Sequence, residues 1–502
     1  MLKKQIESIV EKLSPWKKGV LFFLILLAAY IQFLNPYITC DHIGQALFRT
    51  EAAFGWKEIE NAFSGGRYGN IFLSFCYFIL GKFNISHYEN IYVIQIMGIL
   101  LYAVCCVILY DLFAAFFEDE KQKKLLYAII LLCFINPFMV ETYVYGSFDW
   151  AFGILLAVIA AKWIFRKKYI KGFIMAFLAV SVYQTNIFIV AIVAFLACFI
   201  KNINLEKKRL YLDSLIVCLL SGGAAMLNIL ILKVFSAVGN DINPGKTPQV
   251  SQSYVELIID ILKQVKSIYV GMIGTYPVRF FALFVIIMCA GVIIFLLWKK
   301  QYCQMVLWTI AVGILFLLPF AYMLASNSAW CTQRTLLPVF FAMAMFLTGT
   351  MFWFRNHQYM YKVFGIACAV FLGITLYSTE TMIMDCYIGQ ALDYSEVICI
   401  EDEIREYEEA TGIVVDTISW KKTEGMEYEH QLLTFQYGNL CSHRIICDAG
   451  DYLLDLVSEK DYTLLWMTEE EFEMYFEDKD WTVFNPSEQL HFEGNVLYWA
   501  VY

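Results

Sequence analysis

The chain has 502 residues, of which 60% are hydrophobic, 17% aromatic and only 17% charged. Soluble globular chains carry roughly 25% charged and about 45–50% apolar residues, so an ordinary soluble enzyme, a disordered chain and a nucleic-acid-binding module are all excluded. The net charge of −9 hides a split: from Tyr377 onward 28 acidic residues face 6 basic ones, a balance of −22, which leaves +13 for the first 376 residues.

Crossing roughly 30 Å of hydrocarbon takes about 20 apolar residues at helical rise. Runs of that character predict spans near 19–36, 90–117, 125–145, 150–165, 173–184, 186–200, 210–235, 279–298, 303–325, 334–354 and 361–377. Lys and Arg near span ends orient the chain, because cytoplasmic loops carry the excess of basic residues. Lys3, Lys4, Lys12, Lys17 and Lys18 precede the first span and place the N-terminus inside. The clusters Lys121/Lys123/Lys124, Arg166/Lys167/Lys168/Lys171, Lys207/Lys208/Arg209, Lys299/Lys300 and Arg355/Lys362 then also fall inside. This requires Asn70–Lys82, too short to span, to be an interfacial or re-entrant helix on the outer side. It also requires two short helices meeting near Tyr183-Gln184-Thr185-Asn186, because one long helix there would put Lys201 and Lys207 outside. The expected fold is therefore a polytopic α-helical membrane protein of about eleven spans, with no cleavable signal.

Three segments lie outside under this topology: the first loop from Asn35 to Tyr68 with the short helix after it (35–90), Ser236–Val278, and the tail. In the second, Val255, Ile258, Ile259, Leu262, Val265 and Tyr269 share one helical face, and Glu256, Asp260, Lys263 and Ser267 another. That pattern fits a helix on the membrane surface or one packed within an outer domain. The tail, 377–502, alternates β-rich runs (Gly412–Trp420, Tyr462–Met467, Val496–Tyr502) with acidic helical runs (Ser395–Ala410, Glu469–Phe476) and reads as a small α/β domain whose acidity serves solubility. Cys40, Cys331, Cys386, Cys399, Cys441 and Cys447 lie outside the spans and could pair in an oxidising compartment. No metal-ligand spacing and no glycine-rich phosphate loop of the Walker or dinucleotide type occurs.

Residues able to carry chemistry concentrate at the outer side. Asp41 follows the first span by a few residues, with His42 beside it, so its carboxylate sits at headgroup level, where it either takes a proton from an acceptor hydroxyl or is a hydrated loop residue or cap. Gly65-Gly66-Arg67, opening the short helix, offers backbone N–H groups and a guanidinium for a phosphate oxygen, though an arginine there is more often a headgroup anchor. Glu141 and Asp149 bracket an outer turn dense in aromatics and hydroxyls, suited to a sugar ring or to an interfacial aromatic belt. Tyr183 and Gln184 bring polar groups to membrane depth, where they are costly unless used or paired. Arg334 opens a late span and either binds a phosphate from the far side of the same cavity or snorkels to the interface.

In this order the residues resemble the Gtr type II family of polytopic bacterial glucosyltransferases, which modify O-antigen and related surface polysaccharides. The resemblance rests on Asp41 after the first span, the pairs Gly55-Trp56 and Gly66-Arg67, Ser181-Val182-Tyr183-Gln184 in mid-membrane and Arg334, and it covers most of 15–355. It implies a GT-C-like fold over 1–376. The donor is then undecaprenyl-phosphate glucose or a similar polyprenyl-phosphate sugar, and the acceptor a polysaccharide or lipid-linked glycan. Asp41 becomes the base, Arg67, Gly66 and Arg334 the donor-phosphate ligands, and His42, Trp56, Glu141, Asp149, Tyr183 and Gln184 sugar or acceptor contacts. The site lies at the outer face of the bacterial cytoplasmic membrane. The family pattern favours two consecutive acids where this chain has Asp41-His42, so no obligatory divalent metal and no other cofactor is expected. A transporter or flippase for a lipid-linked saccharide is the alternative; against it stand the lack of a clear internal repeat and the scarcity of charges within the spans.

Overall fold

The computed structural model describes residues 15–34, 59–60, 62–63, 65–82, 91–144, 147–203, 207–237, 254–270, 280–326, 333–422, 453–454, 457–458, 460–479, 481 and 484–501. In chain order the helices are α1 (Pro15–Ala29), α2 (Gly69–Gly81), α3 (Ile91–Ala114), α4 (Glu120–Leu131), α5 (Pro137–Val144), α6 (Ser147–Phe165), α7 (Tyr169–Val182), α8 (Asn186–Asn202), α9 (Lys207–Ala237), α10 (Tyr254–Val270), α11 (Phe281–Trp298), α12 (Tyr302–Leu317), α13 (Ala321–Ser326), α14 (Leu337–Phe354) and α15 (Gln358–Thr411). The chain divides into two compact units between Glu380 and Thr381, inside α15.

Among the described residues, seven helical segments are long and apolar enough to cross a membrane. They correspond to the expected spans at 90–117, 150–165, 210–235, 279–298, 303–325, 334–354 and 361–377. The other four expected spans are shorter or interrupted. The first is α1 followed by a 3-10 turn (Ile31–Leu34). The pair α7 and α8 are the two short helices expected on either side of Tyr183-Gln184. The run at 125–145 departs from expectation: it is two helices, α4 and α5, broken at Asn136-Pro137.

That break is chemically closed. Pro137 has no N–H to continue the ladder and disfavours a helical residue before it. Asn136 fills the gap from both sides. Its Nδ2 donates to the carbonyls of Leu132 (3.0 Å) and Cys133 (3.2 Å), and its Oδ1 accepts from the N–H groups of Phe138 (3.1 Å) and Met139 (3.2 Å). One side chain thus caps the end of one half-helix and the start of the next. Tyr30, stacked on Tyr143 at 3.8 Å, donates from its hydroxyl to Phe134 O at 2.8 Å. Non-helical backbone at membrane depth persists only where its polar groups find partners in this way.

The first unit is organised around α6 and α14. α6 packs against α3, α7 and α8, and small residues permit the approach: a Cβ on Gly98 would lie 2.1 Å from Ser147 Oγ, and one on Gly153 2.4 Å from Asn186 Nδ2. All eighteen residues of α14 are buried, by α4, α8 and α12 among others, with Gly349 seated on the Trp308 ring. α11 is the opposite case, with Leu283, Ile286, Ile287 and Ile294 more than half exposed and available to lipid.

α10 occurs where the amphipathic pattern places it. Leu257, Ile261 and Ile268 are buried, whereas Val255, Ile258, Ile259 and Leu262 are exposed. Four of the six residues on the apolar stripe read from the sequence are exposed, as on a helix lying at a membrane surface, whereas Tyr269 is packed against Phe281, Phe316 and Phe320. Its end is tied down by Tyr269, whose hydroxyl donates to Phe316 O at 2.6 Å.

The second unit holds the rest of α15 and a four-stranded sheet of β1 (Thr417–Lys422), β2 (Thr463–Trp466), β3 (Leu490–Glu493) and β4 (Val496–Val501), in the order β2-β1-β4-β3. β1 runs parallel to β2 and β4, and β3 and β4 form an antiparallel hairpin turning at Gly494 (φ 61°). Ile418, Trp420, Leu497 and Trp499 make its buried face. Helix α16 (Glu469–Phe476) opens with a reciprocal capping box between Thr468 and Glu471, and α17 (Pro486–Gln489) precedes β3. The acidic run Ser395–Ala410, expected as a separate helix, is the end of α15, which stops at Gly412 (φ 72°) with the Gly412 N–H on Glu408 O at 2.8 Å. Cys386 and Cys399 are free thiols.

Candidate active site

Five of the residues singled out in the sequence converge in the first unit. Arg67 stands just before α2. Ala62 and Phe63 close a short helical turn, after which Gly66 takes a left-handed conformation (φ 64°). Its N–H bonds Phe63 O at 3.0 Å, and the Arg67 N–H bonds Ala62 O at 2.8 Å. This is the glycine-terminated end of a helix, and it corrects one expectation: the N–H groups of Gly66 and Arg67 are used by the turn and are not presented to an anion. The glycine is needed for its backbone conformation, and the guanidinium is what the turn projects.

The turn is held from below by two amides. Gln184 Nε2 donates to Gly65 O at 2.8 Å, and Asn228 Nδ2 of α9 donates to Gly66 O at 2.9 Å. Tyr68 donates its hydroxyl to Asn228 O at 2.9 Å, and burial pushes that phenol up to about 12, so it stays a neutral donor. Tyr183 ends α7 in an extended conformation (φ −151°, ψ 129°) that turns its ring out of the helix. The Arg67 guanidinium lies 4.9 Å from the centre of that ring, and Trp150 meets it edge-on at 4.4 Å.

Arg334 reaches the same ring from another element. It sits in the 3-10 turn Gln333–Leu336 at the head of α14, and its guanidinium lies near the Tyr183 phenol. Glu141 of α5, 2% exposed, grips it twice: Oε2 accepts the Arg334 backbone N–H at 2.5 Å, and Oε1 lies 3.5 Å from Nε. Two guanidinium groups therefore flank one buried phenol, and one carboxylate backs the second. Opposed cations in a low-dielectric site repel unless an anion lies between or beside them.

Asp149 is elsewhere in its detail. It accepts the Tyr77 hydroxyl at 2.5 Å, fastening α2 to the first turn of α6. A Cβ on Gly69 would lie 2.6 Å from Val182 Cγ2, so α2 and the end of α7 are in direct contact. Asp41, His42 and Trp56 lie outside the described residues. Among the described residues, no group of three or more His, Cys, Asp or Glu could hold a metal ion.

Sequence reasoning missed Asn228 and Tyr77. The signal for Asn228 was available, since an amide in the middle of an apolar run is the argument that selected Gln184. Nothing in the sequence distinguishes Tyr77 from other interfacial tyrosines.

The family model for glucosyl transferase GtrII matches residues 59–354, a stretch that begins just before the Arg67 turn and ends with α14. The chain belongs to the GtrII glucosyl transferase family. It is a glucosyltransferase, and Arg67, Glu141, Tyr183, Gln184, Asn228 and Arg334 all fall inside the matched region. No curated protein and no solved structure matches the chain.

Proposed function

We propose that this glucosyltransferase moves glucose, or a similar hexose, from a polyprenyl-phosphate carrier to a surface polysaccharide or a lipid-linked glycan at the outer face of the bacterial cytoplasmic membrane. The observation that carries the reading is that Arg67 and Arg334 both lie beside Tyr183, with the Arg67 guanidinium 4.9 Å from its ring. A pair of guanidiniums beside a phenol suits a phosphodiester oxygen, which accepts charge-assisted hydrogen bonds from both sides. The polyprenyl chain then lies along the apolar helices, in a GT-C-like body crossing about eleven times with its N-terminus inside and the C-terminal unit outside.

In this mechanism the acceptor hydroxyl attacks the anomeric carbon, and the bond from that carbon to the phosphate oxygen breaks with inversion. Asp41 takes the hydroxyl proton. The phosphate leaves on the lipid with one more negative charge than it carried as a diester, and Arg67 and Arg334 meet that charge as it develops. No metal is assigned a role. Sugar transfer from a polyprenyl-phosphate donor by the purified protein tests the reading. Asp41→Asn is expected to slow turnover roughly 10²–10⁴-fold, and Arg67→Ala and Arg334→Ala to raise the donor KM. Donor KM unchanged in both arginine variants refutes the phosphate assignment. Turnover within a few-fold of wild type in Asp41→Asn refutes the base.

A further inference from the structure

We propose that Glu141 is a charge-setting positioning residue: it fixes Arg334 and offsets its positive charge, so that the phosphate site does not retain the doubly charged monoester product. The inference rests on Arg67 and Arg334 being the phosphate ligands. Sequence alone offers Glu141 as a sugar contact, but its geometry gives it a different task. The carboxylate is buried at 2% exposure and is engaged by the same residue at two points, through the backbone N–H and through Nε. The main chain at the head of α14 and the base of the Arg334 side chain are thereby fixed together.

The charges follow from the groups present. Among the described residues, Arg67 and Arg334 bring two positive charges to the neighbourhood of Tyr183, and Glu141 offsets one. A lipid-linked sugar phosphate is a diester with one negative charge. The product, a phosphate monoester, carries close to two at neutral pH. Without Glu141 the site would be one unit more positive, and would favour the product over the substrate and hold it after transfer. With Glu141 in place the arginines support the developing charge through directed hydrogen bonds while leaving the monoester free to depart. The placement of α5 serves this end: Asn136 secures its first turn, and Glu141 lies one turn further on, facing the head of α14.

The test uses two probes on the full-length protein in detergent: a polyprenyl phosphate and its methyl ester, the same lipid as a monoester and as a diester. The quantity read is the ratio of their dissociation constants, which is insensitive to a loss of folded fraction because both ligands sample the same folded molecules. Glu141→Gln preserves volume and an oxygen acceptor for the Arg334 N–H while removing the charge. It is expected to shift the ratio toward the monoester by on the order of tenfold to a hundredfold, the effect of one unit charge about 6–12 Å away in an effective dielectric of about 20. Glu141→Gln combined with Arg334→Gln restores the wild-type charge and is expected to return the ratio to near wild type. An unchanged ratio in Glu141→Gln overturns the proposal, as does a ratio that stays raised in the double variant. Should Glu141→Gln fail to fold, the double variant compared with Arg334→Gln alone isolates the same charge. If Arg334→Gln binds both probes as wild type does, the phosphate assignment itself fails, a result distinct from failure of the Glu141 role.

Discussion

Replacing Asn136 by Ala removes the side chain that bridges both sides of the break between α4 and α5. Four hydrogen bonds are lost, two to the carbonyls of Leu132 and Cys133 and two from the N–H groups of Phe138 and Met139. The Met139 N–H keeps the Asn136 carbonyl at 3.1 Å, so three groups lose a partner outright. Side-chain hydrogen bonds within membrane proteins average about 0.6 kcal/mol and reach about 1.7 kcal/mol. Three of them give a destabilisation of roughly 2–5 kcal/mol. Asn136→Asp should be worse, because it keeps the acceptor but sets a carboxylate oxygen against the two carbonyls. The assay is thermal or denaturant unfolding of the purified protein, paired with donor KM, since α5 also carries Glu141. Stability of Asn136→Ala within about 0.5 kcal/mol of wild type, with KM unchanged, would refute the account of the break as a capped junction.

Gly66→Ala places a Cβ 3.2 Å from Asn228 Oδ1 at a φ of 64°; it should cost about 1–2 kcal/mol and raise donor KM by disturbing Arg67. Gly494→Ala, at φ 61° with nothing nearby, should cost a similar backbone penalty and leave KM alone, so equal KM effects in the two would count against the Arg67 turn. Gly98→Ala cannot be accommodated, because its Cβ would meet Ser147 Oγ at 2.1 Å and the Ser147 carbonyl carbon at 2.7 Å; overpacking of about 1–3 kcal/mol or more is expected, whereas Gly373→Ala, in open space on α15, should be neutral or stabilising by up to about 1 kcal/mol. In the C-terminal unit burial works to raise the Glu408 carboxyl, but the Lys460 ammonium at 2.6 and 2.7 Å and the Val415 N–H at 2.8 Å outweigh it and hold it below the usual carboxylate range. That stabilisation is present above the ordinary carboxylate pKa and is lost as pH falls through the lowered one. Amide protection of β1 and β4 should therefore decline on acidification, and Lys460→Met should make the decline shallower; an unaltered profile would exclude the pair as its source.

The parts of the fold that sequence reveals are those where one physical term dominates. The runs at 90–117 and 279–298 contain little besides apolar side chains, and α3 and α11 occupy almost the same residues. Glu469–Phe476 is marked by its capping box, and the helix has those bounds. Where two signals compete, pattern alone misleads. Hydropathy carries 125–145 across Asn136-Pro137 as one span, although that dipeptide is a turn signal and the chain obeys it. The boundary between a membrane helix and an acidic helix, expected near Tyr377, does not exist in the backbone, because no proline interrupts Gln358–Thr411 and a change of surface polarity does not end a helix. β3 is four residues long, and none of the β-rich runs read from the sequence covers it.

The site divides in the same way. Arg67, Tyr183, Gln184 and Arg334 are recognisable one at a time, as polar groups where polarity is expensive. Their pairing is not, because Glu141 and Arg334 are 193 residues apart and Gln184 is 119 from Gly65. No local periodicity encodes such contacts. A free N–H nest at Gly66 was a fair reading of a Gly-Gly-Arg turn, and only the hydrogen bonds of the turn itself show those donors to be occupied.

The complete burial of α14 bears on how the protein is made. Every side chain from Leu337 to Phe354 is covered by other helices, so in the finished molecule this segment meets neither lipid nor water. A helix so enclosed could tolerate paired polar groups, yet its polar side chains are confined to Thr348 and Thr350. Spans enter the bilayer as separate helices before they associate, and at that stage α14 has lipid on all sides. Its greasiness is a passport for insertion, while the fit of Gly349 against Trp308 belongs to the later step of assembly.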